Sequence, residues 1–165
     1  MSVLRFMRKR RPVRAENKEK TRKAILRAAL QLFAKKGFYA TTTKAVARKA
    51  GIAEGTVFNY FPTKEDLALY FFEEEQNAVI AWYRGDQQVK NAPLPEKLFA
   101  IVQHFLDRLA PYEEFIGAVY LRALSPTSKL NPGSLATQER HLRYLRFIRS
   151  VLEEAEVAGE RKSVV

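Results

Sequence analysis

Residues 45–67 read AVARKAGIAEGTVFNYFPTKEDL, and this stretch begins a helix three times. Gly51 interrupts the first, and glycine can take the left-handed turn that lets two helices meet sharply. Pro62 ends the second, because the residue before a proline is pushed away from helical angles. TKED at 63–66 then reads as a capping box that opens a third. The spacing inside the stretch is restrictive. Ala47 is a small residue at the crossing, Gly51 is the turn, and Ile52 can plug between the helices. Val57 and Tyr60 recur as inward residues of the second helix and face Val46 and Ala50 of the first. A helix-turn-helix needs this pattern, and it leaves the outer face of the second helix free to enter a DNA major groove. An ordinary helical hairpin satisfies the same spacing, so a second, independent line is needed.

Charge supplies it. The chain has 165 residues and a net charge of +11. Residues 1–64 hold 17 lysines and arginines against three acidic residues, an excess of 14, whereas 65–165 hold 12 against 15. All the positive excess therefore lies in the first two-fifths of the chain. Such asymmetry points to a polyanion-binding front end and an ordinary solvated remainder. Together, spacing and charge favour DNA binding over a plain hairpin.

Other function classes fare poorly. Cysteine is absent and there are only two histidines, so a disulfide framework, a thiolate nucleophile and a histidine-rich metal site are not expected. No nucleophile–base pair, metal-ligand spacing or phosphate-binding glycine loop stands out, so no enzyme, cofactor or metal is expected. No apolar stretch approaches the roughly 20 residues of a membrane span. The N-terminal RFMRKRRPVR lacks the sustained apolar face of a membrane-surface helix. A cytoplasmic location fits this composition.

The pass along the chain predicts an all-α protein. Residues 1–16 read as a disordered basic arm, able to follow a minor groove or to add non-specific attraction. A helix follows at 17–36 with Ile25, Ala29, Leu32 and Phe33 on one face, stopped by Gly37. The helix-turn-helix pair comes next, then a long helix from the capping box to about residue 83. GDQQVKNAPLP at 85–95 reads as a polar linker. Three more helices are expected at 96–109, 112–124 and 135–158. Trp82, His104, Phe105, Phe115 and Tyr120, with Tyr83 and Tyr112, are candidates to line a pocket between them, although aromatics at helical spacing are more often core.

The segment TRKAILRAALQLFAKKGFYATTTKAVARKAGIAEGTVFNYFPTKEDLALYFFEE resembles the DNA-binding domain of the tetracycline-repressor (TetR) family, with its parts in family order and spacing. The resemblance implies a three-helix head at 17–64 followed by a helical effector-binding and dimerisation domain at 65–165. It implies a regulator, commonly a repressor, that binds a palindromic operator in double-stranded DNA and is released by a small-molecule effector. Residue by residue it places Thr43 and Lys44 against the phosphate backbone. Gly55, Thr56, Phe58, Asn59 and Tyr60 fall at or near the recognition-helix contact positions, and Lys64 falls at a further phosphate contact. The chemistry agrees. A helix N-terminus beside a cation suits a phosphate, and the Asn59 amide can pair bidentately with adenine. Gly55 lets the backbone come close to DNA. Phe58 stands where the family usually has tyrosine, and Tyr60 is read chiefly as packing. Ala53 stands where many relatives carry a capping serine, so the recognition helix should lack that cap. Family members usually continue with two more long helices that pair with a second subunit. EEAEVAGERKSVV ends the sequence where they would begin, so a homodimer, expected of the family, would be without its usual pairing device. A basic DNA-binding protein of low specificity, or a truncated regulator without regulatory output, is the rival expectation.

Overall fold

The computed structural model describes residues 13–157, and every regular element in them is helical. In chain order these are α1 (Val13–Lys36), α2 (Thr43–Ala50), α3 (Glu54–Tyr60), α4 (Lys64–Gly85), α5 (Gln87–Asn91), α6 (Leu94–Leu109), a 3-10 turn (Ala110–Tyr112), α7 (Glu113–Ala123) and α8 (Leu135–Val157). The all-α expectation holds. Local chemistry explains the boundaries. Thr42 caps α2 by accepting the Ala45 amide. Thr63 and Asp66 close the expected capping box, with the Asp66 amide donating to Thr63 Oγ1 at 3.2 Å and the Thr63 amide to Asp66 Oδ2 at 3.0 Å.

Three boundaries differ from the sequence reading. α1 begins at Val13 rather than residue 17, so 13–16 belong to a helix and not to a disordered arm. Glu16 lies in the first turn and pairs with Lys20 at 2.8 Å, an i, i+4 contact that favours helix there. Residues 1–12 of that proposed arm lie outside the described residues. The 85–95 segment is not a plain linker. The Asp86 side chain accepts the Val89 amide and caps the short α5. α6 begins at Leu94, with Pro95 in its first turn, where a missing N–H costs nothing.

Two apolar clusters hold the helices together. The first contains Ile25, Phe33 and Phe38, then Val46 and Val57, then Leu67 and Phe71 of α4, and also Phe115 and Val119 of α7. Phe115 stacks on Phe33 with ring centroids 5.0 Å apart and meets Phe38 and Phe71 edge-on or tilted. The core of the head is therefore closed by a helix from the second half of the chain. The second cluster joins the far half of α4 (Val79, Ile80, Tyr83) to Ile101 of α6 and to Phe147, Val151 and Ala155 of α8. Near the start of α4, Glu65 accepts from Arg122 Nε at 2.6 Å and from the Lys129 amide at 2.9 Å, and Asp66 pairs with Lys129 Nζ at 2.9 Å. The α7–α8 connector is thus fastened to the first turn of α4.

Candidate nucleic-acid interface and apolar cavity

The helix-turn-helix is locked by its backbone. Gly51 has φ +70°, the left-handed conformation. Its amide donates to the Arg48 carbonyl at 3.3 Å and the Ile52 amide to the Ala47 carbonyl at 3.1 Å. This is the paired closure of a Schellman motif, and it sets the angle at which α3 leaves α2. Val46, Ala47 and Val57 are buried between the two helices and Ile52 packs beside them, as the spacing required. α3 has no side-chain cap at Ala53, as the sequence suggested.

The outward face of the pair carries most of the predicted DNA-contact residues. Lys44, Gly55, Phe58 and Asn59 are exposed, and Thr43, Thr56 and Tyr60 are half-buried. Phe58 exposes 45 % of its surface although it is a large aromatic, while its neighbour Val57 exposes none. Tyr60 packs against the first cluster, in line with its reading as packing. A Cβ added at Gly55 would meet nothing within 4 Å among the described residues, so their packing does not demand glycine there. Two residues carry internal contacts that sequence reasoning did not foresee. Thr43 Oγ1 donates to Glu54 at 3.3 Å, which turns that carboxylate back toward the start of α2. Lys64 Nζ donates to the Phe38 and Tyr39 carbonyls at 2.8 and 3.1 Å and lies over the Phe38 ring. Burial pulls its ammonium below the usual lysine value. Lys64 therefore ties the α1–α2 link to α4.

A cavity of about 520 Å³ opens between α4, α7 and α8. Leu69 and Phe72 of α4, Ile116, Val119 and Tyr120 of α7, and Leu142 and Leu145 of α8 form most of its apolar wall, with Thr137, Gln138 and His141 as its polar groups. Thr137 Oγ1 donates to the Lys129 carbonyl at 2.7 Å, and His141 Nδ1 lies 2.8 Å from the Thr137 carbonyl. Few convergent polar groups in an apolar wall is the usual make-up of a small-molecule site. Of the six aromatics and one histidine singled out from the sequence, only Tyr120 lines this cavity. Trp82 stacks on His104 at 4.1 Å, Phe105 packs on Tyr144, and Phe115 is core. The aliphatic wall gave no signal in the sequence, because a cavity-facing stripe and a core-facing stripe have the same periodicity. The cavity is coupled to the head by direct contact. Phe115 is one residue from the cavity wall, and Tyr39 Oη donates to the Ala118 carbonyl of α7 at 3.3 Å.

Among the described residues no group of three or more His, Asp or Glu is placed to hold a metal ion, and no helix is long and apolar enough to cross a membrane.

Comparison with known proteins agrees with this geometry. Residues 25–71 match the model of bacterial regulatory proteins of the tetR family. The fatty acid metabolism regulator protein of Bacillus subtilis (strain 168) is 31 % identical over 86 residues, covering 52 % of this chain and 44 % of that protein. The transcriptional regulator UidR of Escherichia coli (strain K12) is 24 % identical over 147 residues, covering 85 % and 68 %. Among solved structures, the fatty acid degradation regulator FadR of Bacillus halodurans superposes with a TM-score of 0.61 at 27 % identity, over 83 % of this chain and 72 % of that one. FadR of Bacillus subtilis in complex with stearoyl-CoA superposes with a TM-score of 0.61 at 25 % identity, over 84 % and 72 %. The chain spans less than half the length of the first curated relative it matches. Residues 25–71 are thus similar to the bacterial regulatory proteins of the tetR family, and the described chain shares its helical fold with the solved FadR regulators.

Proposed function

We propose that the chain is a sequence-specific DNA-binding transcriptional regulator, a repressor whose hold on a palindromic operator is released by a small-molecule effector. The observation that carries this reading is the outer face of α3. Phe58 and Asn59 are exposed on a pair of helices whose turn is closed at Gly51, and no packing among the described residues accounts for them. Asn59 reads adenine by its amide, Phe58 packs on sugar or a thymine methyl, and Thr43, Lys44 and Thr56 hold phosphates. Gly55 admits the backbone to close range. Lys64 holds the α1–α2 link and adds its charge from behind. Two copies, each presenting one head, would read the two half-sites, in the cytoplasm where the operator lies.

The effector we infer is an amphiphile with a long apolar chain, which suits the α4–α7–α8 cavity. Two relatives regulate fatty acid metabolism or degradation, and one solved neighbour holds stearoyl-CoA. A chain entering between α7 and α8 displaces α7, and α7 touches the head through Phe115 and the Tyr39 hydrogen bond. Leu69 and Phe72 pass the same push to α4, which ends at the recognition pair.

Selection of bound duplexes from a random pool at physiological salt tests the reading. One enriched palindrome is expected, and palmitoyl-CoA is expected to release it. Retention of unrelated duplexes with equal affinity would leave a basic DNA-binding protein of low specificity, since phosphate contacts alone carry no sequence information.

A further inference from the structure

A second cleft, of about 600 Å³, lies between the far half of α4 and α8. Asn77, Ile80 and Arg84 of α4 face Arg143, Arg146 and Ser150 of α8 across it, over a floor that includes the buried Phe147. It is separate from the apolar cavity. Residues 137, 138, 141, 142 and 145 of α8 line the cavity, whereas 143, 146, 147 and 150 line the cleft, so the two occupy opposite faces of one helix. It is also remote from the DNA-reading pair, because Arg84 lies about 30 Å along α4 from Lys64 at 1.5 Å per residue.

The arginines here are unusual in what they lack. Seven arginines lie between α4 and the end of α8. Arg108, Arg122, Arg140 and Arg149 each pair with a carboxylate at 2.6–2.7 Å. The other three, Arg84, Arg143 and Arg146, have no carboxylate partner among the described residues, and all three line the cleft. Arg143 is oriented by Asn77, donating to its Oδ1 at 3.0 Å, which leaves most of its N–H groups unused. Glu73 and Glu74 border the adjoining groove, but Arg140 and Lys23 engage them. No acidic residue lines the cleft itself. Three like charges across an apolar floor repel one another unless an anion joins them, and guanidinium forks match phosphate oxygens in pairs.

We propose that the α4–α8 cleft binds a ligand bearing a phosphate or diphosphate group. Arg84 grips it from α4 and Arg143 and Arg146 from α8. The ligand thereby fastens the far half of the connecting helix to α8. This does not depend on the DNA-binding reading.

Calorimetric titration of the full chain with pyrophosphate and with ADP, at ionic strength held constant by sodium chloride, tests the proposal. Saturable binding of one anion per chain is expected, with a rise in the unfolding temperature. Equal affinity for the two probes assigns the site to a diphosphate alone, and tighter ADP binding assigns it to a nucleotide whose base uses the Ile80 and Phe147 floor. Arg84→Gln and Arg146→Gln change exposed side chains, and each is expected to weaken binding about tenfold. Arg149→Gln removes the same charge from an ion-paired arginine on the outside of α8 and is expected to change nothing. Absence of saturation, or equal loss in the Arg149→Gln protein, would overturn the assignment.

Discussion

The α2–α3 pair and the α7–α8 pair are both tied to the same long α4, yet they are held by opposite means. The α2–α3 connector is three residues closed by backbone hydrogen bonds at Gly51 and Ile52. The apolar residues between those helices are almost wholly buried. The α7–α8 connector is long and is held by side chains. Asn131 Nδ2 donates to the Ala123 carbonyl, Ser134 and Thr137 hydroxyls donate to the Lys129 carbonyl, and Glu65 and Asp66 grip the loop from α4. Around it Tyr120, Leu121, Leu124, Leu135, Leu142 and Leu145 remain exposed. A pair that must present one fixed face to a rigid partner needs a rigid turn. On the proposed function the second pair admits a ligand, which a connector with exchangeable hydrogen bonds and an open apolar wall would serve.

The sharpest way to break this comparison is to detach the two pairs from each other. Phe115→Ala removes the ring that closes the head's core and should cost about 3–5 kcal/mol in urea unfolding. A cost below about 1 kcal/mol would mean that the head packs independently of α7. Next, Asn59→Ala should lower affinity for the selected duplex by about 1–3 kcal/mol and relax one base position, with the unfolding midpoint unchanged. A fall in stability instead would make Asn59 part of the packing. Gly55→Ala separates folding from binding more finely. It should hold or raise stability by up to about 1 kcal/mol, because alanine favours helix and the site is open, while anisotropy shows weaker DNA binding. The smallest effect concerns acid. Burial alone would raise the Glu65 and Asp66 carboxyls, but hydrogen bonds and charge from Lys129, Arg122 and Thr63 outweigh it and hold both below their ordinary values. Folded pKa values below unfolded ones mean stability that is present above the ordinary carboxylate range and lost as pH falls through the folded values. Lys129→Met should therefore weaken the acid limb of the thermal unfolding curve and leave stability at pH 10 closer to wild type than a core mutation would. An acid limb that is unchanged would show that these pairs, half-exposed on the basic side, contribute nothing measurable.

The head could be read in the sequence because each of its features has a local cause. A left-handed glycine, a proline stop and a capping box act over four or five residues, and all three act where their spelling placed them. The second half has fewer such marks. Asp86 caps α5 within a segment whose polar composition suggested only a linker. The cavity is shaped by which face of α7 and α8 turns toward α4, and that is a tertiary fact. Trp82 and His104 satisfied each other by stacking, and Phe115 went to the head's core. Their aromatic character could not distinguish these fates. The dual contacts of Lys64, to two carbonyls and a ring 25 and 26 residues away in sequence, are equally non-local.

The central claim is that the face of α3 reads sequence. Its most direct test is fluorescence anisotropy of the chain against the selected duplex and a scrambled duplex of the same length, repeated across a salt series. The account predicts that the selected duplex binds at least about a thousandfold more tightly at physiological salt, and that Lys44→Ala weakens both duplexes alike and flattens the salt slope. Equal affinities that fall together with salt would contradict it.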